Sequence, residues 1–135
     1  MKYLLITIAI LLGSSPVLIA QKPPVKSPEN EKFVFLNNGA TVGMIIKSVV
    51  KADKQRLKLT DQQLPKAKEI ITKAVVDFNE GVKTLKAAGM NQKKLRTLAL
   101  GVEDEKVKAY KAILTPEQYQ IVVTQHKKVY PESRV

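Results

Sequence analysis

Leu59-Thr60-Asp61-Gln62-Gln63 and Leu114-Thr115-Pro116-Glu117-Gln118 share the pattern Leu-Thr-x-x-Gln, and the physical meaning of that pattern decides the fold. A threonine followed three residues later by glutamine makes a capping box. The hydroxyl accepts a bond from the backbone amide three residues on, and the glutamine side chain reaches back to the threonine N–H. Each copy therefore predicts a helix start. Leu59 and Leu114 stand just outside the caps, five residues before Leu64 and Tyr119, where each can close a hydrophobic staple. Asp61 and Glu117 place negative charge at the positive end of a helix dipole. Pro116 falls on the first helical position, where a missing N–H does no harm. Pro65 lies deeper and predicts an irregular start or a kink.

Outward from the motifs, the apolar residues recur with helical spacing. After the first motif, Leu64, Ile71, Phe78 and Leu85 repeat at seven, and Ala67, Ala74, Gly81 and Ala88 form a parallel row flanked by Val75 and Val82. Glu69 and Lys73 have the spacing of a favourable ion pair on the polar side. Gly89 is available to end this helix, and Asn91 to cap the next. The following stripe runs through Leu95, Leu98 and Val102, is disturbed at Gly101 and at Glu103 to Glu105, and resumes at Val107, Tyr110 and Ile113. It predicts either a kink or two shorter helices, since an interior glycine costs roughly 1 kcal/mol relative to alanine. Before the first motif, Val42, Ile45, Ile46, Val49 and Val50 recur at three and four and predict a helix from Thr41 to about Leu57. The apolar run Phe33 to Leu36 leads into Asn37-Asn38-Gly39, which could open a hairpin or fold the run back onto the core.

The chain has 135 residues, enough for one modest domain. At 44% hydrophobic it is too apolar for a wholly disordered chain, and with no cysteine it has no disulfide framework or thiol chemistry. The reading is all-α, a thin bundle of about four helices. Residues 1–20 form a candidate signal peptide: Lys2, an apolar run from Tyr3 to Leu12, a Gly-Ser-Ser-Pro break, and a small residue at Ala20 for cleavage. Residues 21–40, beginning with a Pro- and Lys-rich stretch, form a mobile leader, residues 41–130 the helical domain, and residues 131–135 a tail. The expected location is periplasmic or secreted. Basic groups outnumber acidic ones by 23 to 12, for a net charge of +11, so an exported chain of this kind suits anionic surfaces and proteins. The excess is concentrated between Lys47 and Lys73, and again between Lys83 and Arg96, where no acid intervenes.

The paired motifs, in an exported, basic chain without cysteine, resemble the Spy/CpxP family of small periplasmic helical proteins, named for its paired LTxxQ motif. The similarity extends through Lys106 to Ile121, KVKAYKAILTPEQYQI, and through Leu57 to Glu69. What the resemblance implies is a curved, often dimeric scaffold acting as an ATP-independent chaperone, which holds unfolded or aggregation-prone clients on a basic and apolar face. Lys66, Lys73, Lys83, Lys86 and Arg96 are the candidate client-face cations. Two other roles fit the same reading: a regulator that binds the exported part of a membrane sensor, and a structural protein that adheres to an anionic envelope surface.

Enzymatic signatures are missing: the sequence holds no Walker loop, no G-x-S-x-G, no H-E-x-x-H and no cysteine nucleophile. The expectation is a protein without catalytic residues, cofactor or metal. One histidine without cysteine does not make a transition-metal site, and His126, followed by Lys127 and Lys128, reads as a cation at a helix C-terminus. Nucleic acid is excluded as a partner because the basic runs lack interleaved aromatics and the chain is read as exported.

Overall fold

The structure is a computed structural model that describes residues 28–135. The candidate signal peptide, residues 1–20, and the first part of the leader, residues 21–27, lie outside the described residues. Among the described residues the fold is an all-α bundle of four helices: α1 (Val42–Leu57), α2 (Leu64–Ala88), α3 (Gln92–Lys111) and α4 (Pro116–Val129). α1 and α3 run toward the end where the two motifs lie, and α2 and α4 run away from it. α2 packs on α1 and α3, and α4 packs on α3 and α1. No helix among the described residues is long and apolar enough to cross a membrane.

Each helix starts and stops for a local reason. Thr41 caps α1 by accepting from the Met44 N–H, and Asn91 caps α3 by accepting from the Lys94 N–H. α1 ends at Lys58, which takes a left-handed conformation (φ 53°) while its N–H bonds to the Lys54 carbonyl. Pro65 causes neither a kink nor a lost bond. α2 begins one residue earlier, at Leu64, so the proline occupies the first turn, where its absent N–H would have no helical partner. The irregular start is real but lies upstream, as a turn over Asp61, Gln62 and Gln63.

α3 departs from its expected break and runs as a single helix through Gly101. Space is open where a side chain on Gly101 would stand, so the glycine faces away from the packing. The tight approach is instead at Gly81. A Cβ there would collide with a methyl of Leu98, so the bare backbone lets α2 and α3 come together.

The core gathers Val42, Ile46 and Leu57 from α1, Ala67, Ile71 and Val75 from α2, Val107 and Tyr110 from α3, and Val122 from α4. Leu59, beside the first motif, is buried with them. The leader is the main correction to the sequence reading, which made residues 21–40 mobile. From residue 28 onward it is docked. A 3-10 turn at Pro28–Asn30 precedes a single antiparallel bridge between Lys32 and Thr41, closed by Phe33 N–H to the Ala40 carbonyl (2.9 Å) and Val42 N–H to the Glu31 carbonyl (2.8 Å). Asn38 accepts from the Ala40 N–H and Gly39 takes φ 79°, so Asn-Gly does turn the chain, and the returning limb is helix α1. Phe33 is buried, a contribution of roughly 1.5–3 kcal/mol by transfer alone, which explains why so short a segment stays down.

Candidate functional site

The two motifs meet. At the second, Thr115 Oγ1 accepts from the Gln118 N–H (3.2 Å) and Gln118 Oε1 accepts from the Thr115 N–H (2.9 Å). At the first, Thr60 and Gln63 form the same reciprocal pair at 3.2 and 3.0 Å. The glutamine amides then exchange bonds with each other: Gln63 Nε2 donates to Gln118 Oε1 (2.8 Å), and Gln118 Nε2 donates to Gln63 Oε1 (3.1 Å). Each amide spends its second N–H on a backbone carbonyl from the other part of the chain, Gln63 on Ile113 and Gln118 on Leu57. Every donor and both acceptor oxygens are thus engaged, which glutamine can do and glutamate cannot. This clasp joins the end of α1, the start of α2, the end of α3 and the start of α4.

The five candidate client-face cations do not form one face. Lys66 is exposed at the start of α2. Lys73 pairs with Asp77, in place of the expected pair with Glu69. Lys83 pairs with Glu80 and with Glu31 of the leader, and Lys86 donates to the Val34 carbonyl, so both hold the leader down. Arg96 donates to both carboxylate oxygens of Glu132 (2.8 and 3.1 Å) and to the Val129 carbonyl (2.9 Å), and its guanidinium lies 5.1 Å from the centre of the Tyr130 ring.

Between the leader, α3 and Tyr130 lies an open groove of about 650 Å³, lined by Phe35, Phe78, Leu95, Ala99 and Tyr130 with Lys93 and Arg96 at its rim. Its floor is an aromatic cluster: Phe35 and Phe78 meet edge to face at 5.4 Å, and Phe33 lies 6.0 Å from Phe78. Phe35 stays 43% exposed, which is unusual for a phenylalanine within reach of a core. The leader is positioned by Asn79, only 1% exposed, whose amide accepts from the Val34 N–H (2.9 Å) and donates to the Lys32 carbonyl (3.1 Å).

A second, smaller cavity of about 220 Å³ adjoins Tyr130 on the α1 and α4 side and is polar. In it Asp53, nearly buried, receives the Tyr110 hydroxyl (2.6 Å), Arg56 Nη2 (2.8 Å) and Lys106 Nζ (3.2 Å). Arg56 also reaches the Gln125 side chain. Burial, and then the hydrogen bond to Asp53, push the Tyr110 hydroxyl far above its ordinary range, so it is a permanent donor and no acid. His126 is buried with its Nε2 2.6 Å from Asp104 and 3.1 Å from Ser133, and Ser133 donates to Asp104 (2.7 Å). His126 does stand in the last turn of α4, as read from sequence, and its buried ring also reaches sideways to Asp104 on α3. Serine, histidine and aspartate meet here without the order of a hydrolytic triad, since the serine spends its proton on the aspartate and one histidine nitrogen faces both partners. Desolvation raises the Asp104 carboxyl, but the bonds from Ser133 and His126, with the charges of His126 and Lys108, outweigh it and hold the group below its ordinary value. Among the described residues no group of three or more His, Asp or Glu side chains is placed to hold a metal ion.

Asp53, Asn79, Asp104, Ser133, Phe35 and Tyr130 were not singled out by sequence. Two of them carried a signal. Asp53 falls on the apolar stripe of α1 between Ile46 and Leu57, and Asn79 falls on that of α2 between Val75 and Val82. A polar residue at a stripe position is a buried hydrogen-bonding group in waiting.

Compared with known proteins, the chain matches no family model, and no curated protein or solved structure is significantly similar to it.

Proposed function

We propose that this chain is an exported, ATP-independent chaperone of the LTxxQ kind, which holds unfolded or aggregation-prone segments by adhesion and performs no chemistry on them. The observation that carries the reading is the groove of Phe35, Phe78, Leu95, Ala99 and Tyr130 with a cationic rim. Exposed aromatic surface bordered by charge suits loose capture: charge speeds the encounter and apolar contact retains the client. The site lies on the α2–α3 hairpin and the leader, away from most of the cations named from sequence, and Arg96 alone belongs to both. A dimer would extend the surface, and an anionic envelope could be met by the exposed lysines.

The test is suppression of aggregation of a chemically denatured client without nucleotide, at rising salt, for the natural chain and for Phe35→Ser. Protection should slow with salt and fall several-fold in the variant. Absence of protection at any salt removes the proposal. A single saturable, stoichiometric partner, with no effect on unfolded chains, would select the membrane-sensor regulator instead.

A further inference from the structure

We propose that residues 130–135 are a latch on the groove: Tyr130 and Glu132 occupy its Arg96 end, and a client segment bearing an aromatic residue and a carboxylate at similar spacing displaces them. The proposal rests on the groove being a binding surface and adds what controls access to it and what it prefers. Glu132 takes the Arg96 guanidinium in a two-pronged bond, and Tyr130 lies under the same guanidinium. One arginine on the groove rim thus binds an aromatic ring and, two residues later, an acid. Arg96 is the cation that an acidic client would need, and in the closed state it is already satisfied.

Tyr130 is also the wall shared by two spaces. It lines the apolar groove on one side and the polar cavity of Asp53, Arg56 and Lys106 on the other. Its ring lies 5.2 Å from His126. Release of the segment would free Arg96 and join the two spaces.

The segment is built to hold shape and yet let go. Ser133 N–H bonds back to the Tyr130 carbonyl (3.0 Å) around Pro131, a compact turn that keeps Tyr130 and Glu132 in register. Its fastenings are mostly polar: the Arg96–Glu132 fork, whose side chains are 50% and 44% exposed, and the bond from Ser133 to Asp104. Exposed ion pairs are weak in water, and the segment's apolar hold is confined to two half-buried side chains, Tyr130 beside His126 and Val135 against the core.

The experiment compares the full chain with one ending at Val129. The probe is a fluorescein-labelled peptide Tyr-Pro-Glu-Ser-Arg-Val, read by anisotropy, with a second peptide carrying Gln for Glu. If the latch is shut about nine-tenths of the time, the peptide binds the shortened chain about ten-fold more tightly than the full chain. Binding to the shortened chain should weaken with the Gln peptide and with Arg96→Gln. Equal binding to both chains, or no binding to a shortened chain that still melts cooperatively, overturns the latch. Should the shortened chain fail to fold, Glu132→Gln with Ser133→Ala in the full chain takes its place, with the same two outcomes. Peptide binding does not depend on chaperone activity. Unlatching without aggregation suppression would therefore overturn the proposed function alone, and suppression that ignores the segment would overturn the latch alone.

Discussion

The two ends of this bundle are fastened by opposite means. At the motif end, two neutral amides exchange hydrogen bonds and satisfy four backbone groups, with Leu57 and Leu59 buried beside them. At the groove end, surface ion pairs take a larger share: Arg96 with Glu132 and the part-buried Ser133–Asp104 bond hold residues 130–135, while the leader is anchored by buried Phe33 and Asn79 and reinforced by Lys83 and Lys86. Neutral bonds in a half-buried site are insensitive to salt and costly to leave unmade, whereas exposed ion pairs compete with water and counterions. On the latch proposal, the motif end sets the architecture and residues 130–135 open without unfolding it.

The sharpest way to break that contrast is to put charge into the neutral clasp. Gln118→Glu removes the donor to the Leu57 carbonyl and the donor to Gln63, and should lower stability by about 2–3 kcal/mol in urea titrations. An effect no larger than that of a surface substitution would mean that the amide exchange carries no weight. The capping threonines come next, at about 0.5–2 kcal/mol each on replacement by alanine. Thr115 should lie nearer the upper figure, because it starts α4 directly, while Thr60 is separated from α2 by a turn. Because the glutamines are shared, the double variant should depart from additivity, which a double-mutant cycle would read.

At the other end the effects are conditional. Asp104 is held below its ordinary value of 3.8 in the folded chain, so the folded state takes up its proton less readily than the unfolded one. Its stabilisation is complete near neutral pH and is lost as the pH falls below about 4, with Ser133 and His126 facing the carboxyl as they let go. The Ser133 amide followed by NMR against pH should report this, and Asp104→Asn should flatten the profile. The smallest effect is expected for Glu132→Gln, which should leave the melting temperature essentially unchanged while hydrogen exchange at Ser133 and Val135 accelerates. A cooperative loss of the whole fold in that variant would erase the distinction between the two ends.

The architecture was legible in the sequence to the extent that its causes are local. Thr41, Asn91 and Thr115 cap the helices they precede, and the apolar stripes of α1 and α2 point inward. Gly101 misled because a propensity cost near 1 kcal/mol matters only where packing does not outweigh it, and α3 is held along its length by α2. The groove was not legible. Phe35, Tyr130 and Arg96 are far apart in the chain and mean nothing until the leader folds back and α4 returns beside α3. The candidate cations failed to converge for a related reason: charge runs along a helix distribute around it, so Lys83 and Lys86 meet the leader, Arg96 meets Val129 and Glu132, and Lys73 pairs within its own helix.

The exchange between Gln63 and Gln118 bridges positions 55 residues apart, so it can close only after α2 and α3 have paired and brought the chain back. Once closed, it denies the first turn of α4 and the turn before α2 the freedom to fray separately. Their amides should exchange with solvent as a single cooperative unit, rising and falling in protection together although the two glutamines stand 55 residues apart.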